Sequence, residues 1–385
     1  MICKLLDIVN TVNTGADAIK KAPIVDEPTG LRCLRIGDVS QKRDFSAWGY
    51  TRTTAADYER YKLHKGDSII ARTGNTIGVS IYIEKDIESV YNNGLIRITA
   101  KREVVSPPFL YYLIRSTECQ DYIQSIAYGT STQPNMKIKD FLNFDINLPS
   151  LEVQDKIIAI IDKIEKKIRT NSQINENLSD LLQAIYQEQF SNVSLSENQG
   201  ILSDICSYSK AKVAVSELNT NTYFSTENML PGKAGSIEAT SLPAMTRTTA
   251  CHKGDTLISN IRPYFKKIVY CEDVCGCSSD VLCFTPVQFQ YAAYLFSTLY
   301  TDKFFTFMVA GSKGTKMPRG DKQQIMTYPL ILPSEKELEE FNAVAVPVLE
   351  QLNYNRTENK RLSALRDALL PKLMSGELDV SALDF

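Results

Sequence analysis

The chain holds only two histidines, and each opens the same tetrapeptide, His64-Lys65-Gly66-Asp67 and His252-Lys253-Gly254-Asp255. An imidazole close to a carboxylate is the simplest apparatus for moving a proton. Both tetrapeptides, however, run straight into an apolar β-type stretch, and Gly at the third place favours a turn, so we read them as structural turns. Cys271, Cys275 and Cys277 with His252 offer metal-ligating atoms, but the CxxxCxC spacing lacks a two-residue knuckle and a second pair, so buried thiols are the better reading. The short charged spacings Lys65/Asp67 and Asp86/Glu88 are of a kind that arises by chance. There is no Gly-rich phosphate loop ending in Lys-Ser/Thr, no HExxH, and no Asn/Asp-Pro-Pro-Tyr/Phe. No catalytic or metal-ligating residue is assigned.

The elements that would position any other chemistry must fold from 385 residues that are 43% hydrophobic, more than one core accommodates. Nine cysteines without a CxxC pair fit a reduced interior, and no run approaches the length of a membrane span, so a cytoplasmic protein with no membrane partner is expected. The net charge of −2 supplies no bulk attraction for nucleic acid. Its distribution is uneven: residues 1–149 carry 19 basic and 17 acidic groups and residues 191–333 carry 13 and 11, whereas residues 150–190 carry 5 and 7 and residues 334–385 carry 6 and 10.

Self-comparison shows a chain written twice. Leu63–Ile70 recurs as Cys251–Ile258 at an offset of 188, and Leu148-Pro149-Ser150 recurs as Leu332-Pro333-Ser334 at 184. Each copy has β-type runs, Asp67–Ala71 and Val79–Ile83 in the first and Asp255–Ser259 and Ile268–Cys271 in the second. Ser106-Pro107-Pro108 starts a helix with Phe109, Leu110, Leu113 and Ile114 on one face, and Gln290–Phe307 is its counterpart.

Each Leu-Pro-Ser opens a long helix. Ile157, Ile161, Ile164, Ile168, Asn171, Asn175, Leu178, Leu182 and Ile185 follow spacings of 4 and 3 without a break, which is a coiled-coil seam. Adding 184 gives Phe341, Ala345, Val348, Leu352, Asn355, Asn359, Leu362, Arg366 and Leu369, the same seam marred only by Arg366. About 40 residues make a rod of roughly 60 Å whose apolar stripe needs a partner. The repeat supplies one within the chain. We expect antiparallel pairing with Asn171 and Asn175 near Asn355 and Asn359, and Pro347 predicts a kink or an interruption in the second helix. Pairing between two chains, as in a dimerisation coiled coil, stays open on periodicity alone.

The expected fold is α+β: tandem mixed α/β domains at 1–149 and 191–333, helices at 150–190 and 334–385, and an internal pseudo-twofold repeat. The stretches Lys65–Gly74, Tyr91–Ile98, Gln133-Pro134-Asn135 through Leu148-Pro149, Tyr223–Pro231 and Leu370–Leu378, in that order, resemble the specificity subunits of type I restriction-modification enzymes. The resemblance spans essentially the whole chain. It implies two target recognition domains, each reading one half of a split, asymmetric double-stranded DNA target, held apart by two antiparallel helices. It also implies a chain without catalysis or a cofactor of its own. The partners would be two methyltransferase subunits using S-adenosylmethionine, docked on the helices, and motor-nuclease subunits using ATP. Met317-Pro318-Arg319 departs from Gln133-Pro134-Asn135 of the first half.

Two loops per half have the donors, acceptors and cations that reading a base edge and holding a phosphate require. In the first half they contain Arg72, Thr73 and Asn75, then Tyr128, Thr130, Ser131, Gln133 and Asn135. In the second they contain Asn260, Arg262, Tyr264, Lys266 and Lys267, then Ser312, Lys313, Thr315, Lys316 and Arg319. We expect Arg72, Asn75, Gln133, Asn135, Arg262 and Arg319 to read base edges, and Lys42, Arg43, Lys137, Lys266, Lys267, Lys313 and Lys316 to meet phosphates. Two other readings remain: a coiled-coil scaffold between proteins, and a self-contained DNA nuclease or methyltransferase.

Overall fold

A computed structural model describes residues 2–41, 43–127, 134–190 and 199–383 of the chain. Two compact units form, Met1–Ile168 with Arg361–Phe385, and Arg169–Lys360.

In the first unit, strands Val9–Thr14, Leu95–Ala100, Ser68–Ala71 and Ser80–Tyr82 lie side by side in that order, all antiparallel. The run Ser68-Ile69-Ile70-Ala71 is buried throughout because both of its faces are covered. Ile70 points into a core with Phe109, Leu110 and Ile114 of the helix Pro107–Arg115, while Ile69 and Ala71 point into a core with Cys33, Val90 and Tyr91 of a second sheet. That sheet orders Ile24–Val25, Gly49–Thr51, Arg32–Leu34 and Ser89–Tyr91, the last two parallel.

The second unit repeats the plan. Cys206–Tyr208, Val281–Pro286, Thr256–Ser259 and Ile268–Tyr270 take the same places as the four strands of the first sheet. Leu257 and Ile258 again face opposite cores. The expected helical region resolves into Ala292–Leu299 and Asp302–Ala310. A short antiparallel pair closes each half, Ile2–Lys4 with Asp145–Asn147 and Gln199–Ile201 with Pro329–Ile331.

The tetrapeptide turns are equal in detail. Asp67 accepts the His64 backbone N–H at 2.8 Å and Asp255 that of His252 at 2.8 Å, with Gly66 and Gly254 at φ +97° and +92°. The histidines are turn residues with exposed rings. All nine cysteines are free, and Cys251, Cys271, Cys275, Cys277 and Cys283 share one apolar core. Among the described residues, no group of three His, Cys, Asp or Glu is arranged to hold a metal ion. Also among them, no helix is long and apolar enough to cross a membrane.

The long helices are Leu151–Phe190 and Glu335–Ser375. In the first unit, Ile157 and Ile161 are buried with Leu370 and Leu373. In the second, Leu182, Tyr186 and Phe190 are buried with Phe341, Ala345, Val348 and Leu352. Their direction is antiparallel in each unit, as the pairs Glu165–Arg366 and Lys156–Ser381, and Asn171–Asn359 and Asn175–Asn355, require. Ile168, Leu178 and Leu362 are half-buried.

Two sequence expectations about the second helix need correcting. It runs unbroken through Pro347, so of the expected kink or interruption the interruption is absent. Pro347 lies on the exposed face, where water can satisfy the carbonyl left without its bond, while Ala345, Val348 and Leu349 stay packed. Arg366 is no blemish either: its guanidinium bonds Glu165 at 2.8 Å across the seam.

Candidate nucleic-acid interface

In each half, the strand that follows the His-Lys-Gly-Asp turn delivers the first candidate loop, and the second loop is bonded to it. In the first half, Met136 N–H donates to Arg72 O at 2.9 Å and Gly74 N–H to Pro134 O at 3.1 Å. In the second, Gly320 N–H donates to Asn260 O at 3.3 Å and Arg262 N–H to Pro318 O at 2.8 Å. Thr73 and Asn135 form one bridge, Ile261 and Arg319 the other. The described end of the second loop, Pro134–Met136 in one half and Pro318–Gly320 in the other, therefore joins the first loop in one composite surface at the far end of the strand from the tetrapeptide turn. Pro134 and Pro318 are structural equivalents, as are Asn135 and Arg319, so at these two positions the Met317-Pro318-Arg319 departure keeps the backbone bonds.

In the first surface Asn75, Asn135 and Lys137 are exposed, and Arg72 is half-buried with its Nε lacking a hydrogen-bond partner among the described residues. Lys137 leads into the short helix Ile138–Phe141. Arg43 lies elsewhere, bonded to Asp38 at 3.2 Å after the helix Ile36–Ser40. Lys42, Tyr128, Thr130, Ser131 and Gln133 lie outside the described residues.

The second surface is cationic and internally paired. Lys266 bonds Asp302 at 3.0 Å, Lys313 bonds Asp321 at 2.5 Å, and Arg319 bonds Asp280 at 3.1 Å. Lys267 donates to Thr226 O, and burial lowers its pKa below the usual lysine value. Thr315 and Lys316 are exposed, Ser312 donates to Val309 O, and Asn260 is buried with an unpartnered Oδ1. Arg262 Nε is likewise buried without a partner among the described residues. Ion pairs as open as those of Lys313 and Arg319 add little to stability, so the fold loses little if a phosphate takes their place.

Sequence reasoning passed over three contributors. Phe265 stands exposed beside Tyr264, their ring centroids 4.8 Å apart. Lys233 lies over the Tyr300 ring and shares Asp302 with Lys266. Arg262 and Lys266 have left-handed backbones, φ +50° and +52°, where residues 188 positions earlier are Gly74 and Gly78 at +80° and +89°. The offset already established by the repeat was the signal for this last feature.

Residues 2–180 match the family described as type I restriction modification DNA specificity domain. The type I restriction enzyme HindI specificity subunit of Haemophilus influenzae is 31% identical over 132 residues, 33% of this chain and 28% of that subunit's length. The MjaIX specificity subunit of Methanocaldococcus jannaschii is 23% identical over 320 residues, 76% of this chain and 73% of that one. The crystal structure of the type I restriction-modification S subunit from M. genitalium has the same fold, with a TM-score of 0.61 at 15% identity, covering 97% of this chain and 96% of that one. The domain match over the first half and the sequence match through both halves make the chain similar to type I restriction-modification specificity subunits along most of its length, and it shares their fold.

Proposed function

We propose that the chain gives sequence specificity to a type I restriction-modification complex, each composite loop surface reading one half of a split double-stranded DNA target. The observation that carries this reading is the sameness of the two loop scaffolds against the difference of their side chains. Equivalent backbone bonds hold Arg72, Gly74 and Asn135 in one half, with Asn75 next to Gly74, and Asn260, Arg262 and Arg319 in the other. Arg offers paired donors to guanine and Asn pairs with adenine, so two different half-sites follow from one scaffold.

The paired helices act as the spacer between the two readers and, with a net acidic composition and exposed side chains such as Ile174, Leu181 and Tyr354, as the dock for two methyltransferase subunits. S-adenosylmethionine and ATP are then used by the methyltransferase and motor-nuclease subunits, and this chain contributes no catalysis. It works in the cytoplasm, where the target DNA is.

The test is to co-express the cognate methyltransferase subunit with and without this chain and map methylated bases. A split motif of fixed spacing that appears only with the chain supports the reading. An active methyltransferase whose methylation does not depend on the chain would overturn it in favour of a protein scaffold.

A further inference from the structure

Among the described residues, the three non-glycine residues with left-handed backbone are all cations, Lys233, Arg262 and Lys266. They converge on one turn. Lys233 N–H donates to Lys266 O at 2.9 Å and Gly232 N–H to Phe265 O at 2.8 Å, while Asp302 bonds the side chains of Lys233 and Lys266 at 2.7 and 3.0 Å. The first half builds the same turn with Gly74 and Gly78, which take this backbone without strain. The second half has cations at both places and bears the strain. Strain kept where glycine would relieve it points to a need for the side chains.

Between these cations the two halves diverge again. Ile77 of the first half is 4% exposed, but its equivalent Phe265 is 40% exposed, and Tyr264 beside it 50%. The rings stand at 56° on a single helical turn, Pro263–Phe265, anchored from behind by Gly232 and Lys233. An apolar pair held outward on a rigid turn, with a cation at each end, has the composition of a wedge that enters a polyanionic duplex.

We propose that the turn from Arg262 to Lys267 reads the second half-site by deformation, Tyr264 and Phe265 inserting at one base step while Arg262 and Lys266 hold the flanking backbone or base edge. This rests on the DNA-reading function above and adds a division of labour. The first surface reads by hydrogen bonds, and the second also selects a step that unstacks easily, such as a pyrimidine–purine step.

The full chain in complex with its methyltransferase subunit is tested on target duplexes carrying 2-aminopurine at successive positions of both half-sites. Apart from the rise that base flipping by the methyltransferase gives at the methylated position, the expected result is a fluorescence rise at one further step of the second half-site and at no further step of the first. The double variant Tyr264→Ser/Phe265→Ser removes the rise and weakens target binding by about tenfold, the scale of lost base–aromatic stacking. Arg262→Gly/Lys266→Gly leaves the melting temperature unchanged or higher while weakening the same binding. A bound complex with no rise in the second half-site beyond that at the methylated position overturns the wedge, as does wild-type binding by both double variants. A lower melting temperature in the glycine variant with unchanged binding assigns those cations to the fold alone and overturns it too. Absence of any chain-dependent binding to a split target defeats the underlying function instead, so the two failures are distinguishable.

Discussion

Asn355 donates from Nδ2 to Oδ1 of Asn175 at 2.9 Å, an amide pair across two helices whose neighbours in the seam are largely apolar. One turn away Asn171, 1% exposed, donates to Asn359 at 2.9 Å and to Glu358 at 2.6 Å. An amide matched with an amide is satisfied, whereas an amide matched with leucine is not, so these residues select one register. Replacing Asn355 by Leu strands the Asn175 acceptor and leaves Gln351, which donates to Asn355 at 2.8 Å, without its partner. We expect Asn355→Leu to cost about 1–3 kcal/mol. Asn175→Leu/Asn355→Leu should recover most of that loss, which a double-mutant cycle by denaturant unfolding measures. Strictly additive losses would show that the pair is not coupled.

The repeated turn allows a paired test of backbone and packing. Alanine at Gly66 or Gly254 must take φ near +97° or +92°, a cost of about 1–2 kcal/mol. The new methyl differs between them. At Gly66 the nearest atom is the flexible end of Arg102 at 3.3 Å, whereas at Gly254 it meets Phe289 at 3.0 Å and Ala292 at 3.1 Å. Gly254→Ala should therefore destabilise the fold more than Gly66→Ala, read as the shift in urea midpoint, and equal shifts would contradict the packing difference.

Lys233 and Lys266 bond Asp302 and hold its pKa below the ordinary carboxylate value. Because folding lowers this pKa, the stabilisation is complete above the unfolded value of about 4 and is lost as pH falls through the lower native value. Asp302 is largely exposed, so the effect is modest and weakened by salt. Comparing melting temperatures of wild type and Asp302→Asn, the wild type's advantage should be present at pH 6 and fade below about pH 4. An advantage that grows on acidification would reverse the assignment.

Features with a period or a copy were legible in the sequence. The seam from Ile157 to Leu182 reads directly from 4-and-3 spacing, and the His-Lys-Gly-Asp turns identify each other. The second sheet of each half was not legible, because strands such as Ile24–Val25 and Tyr223–Phe224 are two residues long and carry no alternation. Arg366 looked like a defect because its partner Glu165 is 201 residues away and visible only once the helices pair. The reading loops were visible as composition, but their union was not, since the Arg72–Met136 and Asn260–Gly320 bonds are made by backbone atoms common to every residue type. Nor does residue type announce a left-handed Arg262, where a glycine would have signalled the turn.

If two separate surfaces read two half-sites, each half of the target is exchangeable on its own, which a domain exchange measures. Residues 201–331 are replaced by the corresponding segment of another specificity subunit, and methylated bases are mapped with the same methyltransferase subunit. One half of the methylated motif should change while the other half stays as it was. A motif that changes in both halves, or in neither while methylation remains chain-dependent, would contradict separate reading by the two surfaces.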